Sequence, residues 1–225
     1  MKPITVLLAE DHQIVREGYR SLLGHEADIE VVGEAETGRQ AVQLTRKLRP
    51  AVVVMDIAMP LLNGLEATRQ IRKEFPDTKV LILSAHSDDA YVEQVIEMGA
   101  SGFLLKQTSS HELAAGIREV QKGHTFFTAA LSRRLKGRDP KPLEPAGQLA
   151  KRRNRLSSRE IEVLQLIAEG KPNKQVAAEL GVSFKTVDKH RQHLMAKLNI
   201  HDVAGLTRYA VSAGIIESSV PVTLL

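Results

Sequence analysis

Five polar side chains in the first half of the chain sit where apolar runs end. Glu10 and Asp11 follow Ile4–Ala9, Asp56 follows Ala51–Met55, Ser84 ends Lys79–Ser84, and Lys106 follows Ser101–Leu105. Carboxylates drawn together repel and raise one another's pKa unless a cation joins them. Oxygen donors beside a phosphate suit Mg2+, which keeps several waters and uses only one or two carboxylates. A carboxylate held there, with Asp56 the candidate, can act as nucleophile and become an aspartyl-phosphate. The metal would offset charge in an in-line transfer. Lys106 can pair with one phosphoryl oxygen, and Ser84 can donate a hydrogen bond to another. Each residue alone has a plainer reading. Asp11 suits a helix N-cap, Asp56 suits turn chemistry before a Pro-containing loop, and Ser84 and Lys106 suit solvated strand ends. Their recurrence at matching ends favours the joint reading.

The elements that must position these groups follow from apolar patterning. β-rich runs at Ile4–Ala9, Glu30–Glu34, Ala51–Met55, Lys79–Ser84 and Ser101–Leu105 alternate with helical spacing at His12–Leu23, Arg39–Leu48, Gly64–Phe75, Asp89–Met98 and Ser109–Lys122. Five strands alternating with five helices predict an α/β, doubly wound, five-stranded parallel sheet covered on both faces. Val52-Val53-Val54-Met55 and Val80-Leu81-Ile82-Leu83 are apolar at consecutive positions, as strands buried on both faces must be. In such sheets ligands bind beyond the carboxyl ends of the strands, where the five polar residues fall.

The stretch GRDPKPLEPAGQLAKRRNR holds three prolines and two glycines and reads as part of a linker. Beyond it the pattern is all-α. Ser157 and Glu160 form a capping-box signature, Ile161, Leu164, Ile167 and Ala168 supply an apolar stripe, and Gly170 marks a stop. Further helices are expected over Asn173–Leu180, Phe184–Leu198 and Asp202–Ser212, giving a four-helix domain. The second and third, joined at Gly181, have helix-turn-helix grammar. On the third, Val187, Leu194 and Leu198 share one stripe at about 100° per residue. Lys185, Lys189, Gln192 and Ala196 lie nearly opposite, with Asp188 on the flank. A basic face with amide and small side chains suits entry into a major groove. Lys174, Thr186, Arg191 and Lys197 suit phosphate contact, and His190 suits packing or phosphate contact. A solvated basic face is the plain alternative, outweighed by its place on the second helix of the turn motif. Val203 and Leu206 suit either a dimer contact or core packing.

Charge divides the chain. Residues 1–126 carry 14 Lys+Arg and 18 Asp+Glu, net −4, while residues 127–225 carry 17 and 9, net +8. Only the second half is expected to meet a polyanion. There is no cysteine, which excludes disulfides, thiolate zinc sites and cysteine nucleophiles and suits a cytoplasmic address. No apolar run approaches the roughly 20 residues needed to span a bilayer, and the apolar face of the basic helix lacks the aromatic anchors of a membrane-surface helix.

The segments LLAEDH, VVVMDIAMPLLNG, VLILSAH and GASGFLLK resemble, in order, the motifs of two-component receiver domains. LSSREIEVLQLIAEGKPNKQVAAELGVS and KTVDKHRQHLMAKL resemble the LuxR-type DNA-binding domain of NarL/FixJ-family response regulators. The resemblance implies a receiver domain over 1–126, a linker over 127–154 and a helix-turn-helix domain over 155–220. It implies a flavodoxin-like strand order 2-1-3-4-5. Asp56 would accept phosphate from a sensor histidine kinase, Glu10, Asp11, Asp56 and the Ala58 main-chain carbonyl would hold Mg2+, Ser84 and Phe103 would form the switch, and Lys106 would sense the phosphate. The partners implied are the kinase, double-stranded DNA and a second copy of the chain, and the protein is a regulator rather than an enzyme. The chain departs from the commonest pattern with Glu10 for Asp, Phe103 for Tyr, Gln107 for Pro, Pro172 for Ser or Thr and Gln175 for Glu. Two alternatives compete: a phosphorylation-independent transcription factor with a vestigial receiver, and an Asp-nucleophile phosphohydrolase. The second needs an efficient general acid for turnover, commonly another Asp two residues past the nucleophile, where this chain has Ala58.

Overall fold

Consecutive apolar residues in the strands divide between two cores, because successive side chains of a strand point to opposite faces. The computed structural model describes residues 2–85, 95, 98–127 and 156–216. The chain splits into two units, Met1–Lys136 and Gly137–Leu225. In the first, strands β1 (Ile4–Ala9), β2 (Ile29–Ala35), β3 (Val52–Asp56), β4 (Lys79–Ser84) and β5 (Gly102–Leu105) alternate with helices α1 (Gln13–Leu23), α2 (Gly38–Leu48), α3 (Gly64–Glu74) and, after β5, α4 (Ser110–Gln121). All strand pairs are parallel. The order is β2-β1-β3-β4-β5-β6. The five expected strands stand in the expected order, and a sixth, β6 (Phe126–Phe127), extends the edge beside β5. The expected helix Asp89–Met98, apart from Val95 and Met98, lies outside the described residues, as does the linker 127–154 except for Phe127.

Leu7, Ala9, Val53, Met55, Val80, Ile82 and Phe103 pack with Ala41, Val42, Leu65, Ala67 and Ile71 of α2 and α3. The intervening residues Val6, Leu8, Val52, Val54, Leu81, Leu83 and Leu104 pack on the other face with Leu23 of α1 and Leu113, Ala114, Ile117 and Val120 of α4. Thr37, Asn63 and Ser109 cap α2, α3 and α4, each accepting a backbone N–H three residues on. The sequence places Ile14 and Leu22 on an apolar stripe of α1, yet they are 85% and 43% exposed. Of the apolar residues in that run only Leu23 is fully buried, with Tyr19 packed partly against the same core.

The second unit is helical: α5 (Ser158–Ala168), α6 (Asn173–Leu180), α7 (Phe184–Leu198) and α8 (Val203–Ser212). Both halves of the expected capping box form, with Ser157 accepting from Glu160 and the Glu160 carboxylate accepting from Ser157 N at 2.7 Å. Gly181 turns α6 into α7 in the left-handed region, φ 61°, where glycine avoids a Cβ clash. Val163, Leu164, Leu166, Val176, Val187, Leu194, Leu206 and Ala210 form its buried interior. Leu206 is therefore a core residue and not a dimer contact, while Val203 remains 45% exposed. Among the described residues no helix is long and apolar enough to cross a membrane. Residues 217–220, the end of the expected second domain, lie outside the described residues.

Candidate functional site

The carboxyl ends of β1, β3, β4 and β5 share one edge of the parallel sheet, and their registers carry the polar residues there together. Asp56 pairs with Leu83, next to Ser84, and Ser84 pairs with Leu105, next to Lys106. The Lys106 ammonium lies 2.8 Å from Glu10 Oε2 and 3.0 Å from Asp56 Oδ2. Residues 10, 56 and 106, far apart in the chain, thus meet at one cation. Glu10 and Asp56 are almost fully buried, and so is Ser84. Asp11 is adjacent and part-exposed, and its Oδ1 faces His12 Nδ1 at 2.9 Å. One ligand atom each from Glu10, Asp11 and His12 lies within 4.8 Å of the others. The N-cap of α1 is His12, without a side-chain cap bond, so Asp11 is not the helix cap that its plain reading would make it.

Three carboxylates and one ammonium leave the pocket short of positive charge. Burial pushes the Asp56 carboxyl up to about 6, the Glu10 charge adds to the rise, and Lys106 opposes it. Burial depresses the Lys106 ammonium, but Asp56 and Glu10 outweigh that and raise it overall. Glu10 Oε2 and Asp56 Oδ2 are buried and meet the Lys106 ammonium, and Asp11 Oδ1 is buried and meets His12, but none of the three has a further partner among the described residues. Buried anionic oxygens with spare lone pairs fit a hard divalent cation such as Mg2+.

The remaining expected residues stand around this edge. Ala58 lies in the loop after β3, two residues past Asp56. Phe103 is 2% exposed on β5, in the core that also takes up Phe127. Sequence reasoning missed two residues that shape the pocket. Gly64 begins α3 against the Asp56 carbonyl, where a Cβ would stand only 1.8 Å from the oxygen. Arg16, on α1, donates from Nη1 to the Glu10 carbonyl at 2.7 Å. The Asn63-Gly64 pair, an N-cap followed by a small residue, was the available sign for Gly64. Arg16 carried none, because its acidic partners lie 18 and 20 positions away.

On the helical unit, Lys185, Lys189 and Gln192 are exposed on α7, and Lys174 is exposed on α6. An open groove beside α7 is lined by Ser183, Lys185, Thr186, Lys189, His190 and His193. Several polar groups hold one another: Gln192 donates to Asp188 at 2.9 Å, Arg191 to Asn173 at 3.0 Å, and Thr186 N to Ser183 Oγ at 3.1 Å. Lys197 is engaged elsewhere than the sequence suggests. Its Nζ lies 2.7 Å from Glu160 Oε2 and ties α7 to the capping box of α5. Burial pushes the Glu160 carboxyl up, but Lys197 and the Ser157 bonds outweigh it and hold the group below its usual range. A lowered folded pKa gives stability that is present above the unfolded value and lost as pH falls. Lys197→Met is therefore expected to lower stability at pH 7 by about 1 kcal/mol, with a smaller loss at pH 3. Urea unfolding at the two pH values checks this.

Comparison with known proteins matches residues 6–118 to "Response regulator receiver domain" and residues 154–210 to "Bacterial regulatory proteins, luxR family". The chain is 40% identical over 207 residues to the transcriptional regulatory protein LiaR of Bacillus subtilis, covering 92% of this chain and 96% of that one. It is 37% identical to the transcriptional regulatory protein DegU of Brevibacillus brevis, covering 88% and 89%. Among solved structures it is similar to RcsB, in a structure of two dimers bound to two parallel DNAs. There the identity is 28%, the coverage 94% of this chain and 99% of that one, and the TM-score 0.56.

Proposed function

Because this chain belongs to the bacterial response regulators that join a receiver domain to a LuxR-type DNA-binding domain, we propose that phosphoryl transfer to Asp56 controls how its basic half binds DNA. The protein is a DNA-binding transcription regulator of a two-component system. A receiver domain implies a kinase partner, and a LuxR-type domain implies DNA. The observation that carries the finer reading is Lys106 Nζ held between Glu10 and Asp56 at the sheet edge.

The donor is a phosphohistidine of a sensor histidine kinase. An Asp56 carboxylate oxygen attacks phosphorus, an O–P bond forms as the N–P bond breaks, and the leaving imidazole takes up a proton. Glu10, Asp11, Asp56 and the Ala58 carbonyl would hold Mg2+, which when bound offsets charge on the phosphoryl oxygens. Lys106 turns from Asp56 to a phosphoryl oxygen, and the Ser84 hydroxyl donates to another. Phe103 then repacks with Ser84, and its strand carries the change. Phe103 is paired with Ile82 on one side and with Phe127, at the start of the linker, on the other. The surface near residues 89–122 shifts the population toward a homodimer competent for DNA. The receiver covers residues 1–126 and the DNA-binding domain 155–220, and the protein acts in the cytoplasm.

On the DNA, Lys185, Lys189 and Gln192 read base edges with Asp188, which accepts from Gln192, on their flank, while Lys174, Thr186, His190 and Arg191 meet phosphates. Lys197 reaches a phosphate only by leaving Glu160. Lys189→Ala is expected to cost about 1–3 kcal/mol of discrimination at one base position. Lys174→Ala is expected to weaken all sequences alike and to lower the salt slope by about one. Binding isotherms at several salt concentrations separate the two effects.

Selection of bound duplexes from a random pool, with and without acetyl phosphate and Mg2+, tests the reading. The expected result is an enriched palindromic site bound more tightly by the phosphorylated dimer. Equal affinity and equal oligomeric state in both conditions would leave a phosphorylation-independent transcription factor.

A further inference from the structure

Arg16 is a charged side chain on α1 that is only 6% exposed, and none of the chemistry described so far uses it. Its guanidinium holds three different groups at once. Nη1 donates to the Glu10 carbonyl at 2.7 Å, Nε to Glu34 Oε2 at 3.1 Å, and Nη2 to Glu36 Oε1 at 3.0 Å. A planar fork of donors makes such a three-way clamp, which a lysine cannot reproduce. The Glu10 carbonyl belongs to the peptide unit that links Glu10 to Asp11. On the other side of Glu10, its N–H donates to the Ala35 carbonyl at 3.0 Å. The backbone that carries both acidic side chains is thus fixed from the β2 end and from α1. Glu34 also pairs with Arg20, so the clamp is anchored in a wider network. The two glutamates offset the Arg16 charge, so a buried cation near the pocket does not oppose a second one arriving.

From this geometry we infer that Arg16 is a positioning residue: it fixes the Glu10–Asp11 peptide unit and thereby sets the affinity of the pocket for a divalent cation. It touches neither the cation nor the phosphoryl group. The inference rests on the proposed function only in taking the pocket as a Mg2+ site. Groups that orient metal ligands typically change metal affinity by about 10- to 100-fold when removed.

The test is an equilibrium Mg2+ titration of the full chain by calorimetry, well below the unfolding temperature, beside labelling with acetyl phosphate over a range of Mg2+. Arg16→Met is expected to weaken Mg2+ binding about tenfold, and saturating Mg2+ should restore most of the labelling rate. Arg16→Lys keeps the charge but not the fork and should fall between Arg16→Met and the unaltered chain. Glu36→Gln alters an acid that is 62% exposed, which makes it the variant least expected to disturb folding, and should shift affinity in the same direction by less. Arg118→Met breaks the ion pairs with Glu26 and Asp28 and should leave Mg2+ affinity unchanged, which separates positioning from general loss of stability. Unchanged affinity in both Arg16→Lys and Glu36→Gln would overturn the inference. An unaltered chain that binds no Mg2+ would overturn the pocket reading itself, and that arm distinguishes the two failures.

Discussion

Asp56→Asn yields a chain that takes no hydroxylamine-labile phosphate from acetyl phosphate and Mg2+, whereas the unaltered chain is labelled. The amide keeps the shape of the carboxylate but is no longer an anionic nucleophile, and the loss is complete because no second carboxylate shares its place on β3. Undiminished label in the variant would sink the assignment. The same substitution has a second, opposite effect on the metal-free protein. Burial first, and the Glu10 charge second, hold the Asp56 carboxyl at about 6 instead of 3.8. A raised folded pKa gives stability that is present below the unfolded value and lost as pH rises through the folded one. Asp56 is therefore a stability cost above pH 6, and Asn removes it. At 1.36 kcal/mol per pKa unit, Asp56→Asn should stabilise the metal-free chain by about 1–3 kcal/mol at pH 7.5. The gain should shrink toward zero near pH 4, where the buried acid is protonated. Lys106 keeps Glu10 as a partner in the variant, so no buried ammonium is stranded. Denaturant unfolding across this pH range with chelator present decides the matter. Destabilisation at pH 7.5 would mean that the Lys106–Asp56 attraction exceeds the cost of burying the carboxylate.

Gly64→Ala is expected to be worse for folding than any other single change near the pocket. The obstacle is space and not backbone angle, since Gly64 is absent from the positive-φ residues. A Cβ there would stand 1.8 Å from the Asp56 carbonyl oxygen, 2.8 Å from its carbon and 3.0 Å from Met55 Cγ. Backbone atoms cannot rotate away as a flexible side chain can. Relief requires moving the end of β3 or the start of α3, which would break the Gly64 N–H bond to the Ile57 carbonyl at 2.8 Å. A destabilisation of about 3 kcal/mol or more follows, together with reduced labelling of any folded fraction, because Asp56 itself is displaced. Gly18, on the exposed side of α1, supplies the contrast. Nothing lies within 4 Å of a Cβ built there, so Gly18→Ala should stabilise by roughly 0.4–1 kcal/mol through helix propensity and reduced unfolded-state entropy. Thermal melts of the two variants side by side test both signs. An unperturbed Gly64→Ala would show that the loop after β3 yields more easily than its geometry indicates.

Much of the fold was legible because it follows from local periodicity. Apolar runs of strand length, alternating with helical spacing, gave the strands and the described helices to within a residue or two. The Ser157–Glu160 box and Gly181 marked their helix ends through capping chemistry that needs only neighbouring residues. The strand order came from the family motifs and not from the pattern, and the two-residue strand β6 was too short to carry a period. Periodicity also failed to say which apolar residues face inward. Ile14 and Leu22 are exposed although they lie on an apolar stripe, and Leu206 is buried where a surface contact was also plausible.

By itself the sequence determined the residue types, the elements that carry them and the candidate chemistry of Glu10, Asp11, Asp56, Ser84 and Lys106. Only the tertiary structure decided that Lys106 lies between Glu10 and Asp56, that Arg16 clamps the Glu10 carbonyl, that α3 starts on the Asp56 carbonyl through Gly64, and that Lys197 answers Glu160. The division has a physical cause. Helix and strand signals arise between residues a few positions apart, whereas these contacts join segments separated by a strand, a helix or more, and a pairing of that kind exists only once the chain has closed the loop between them.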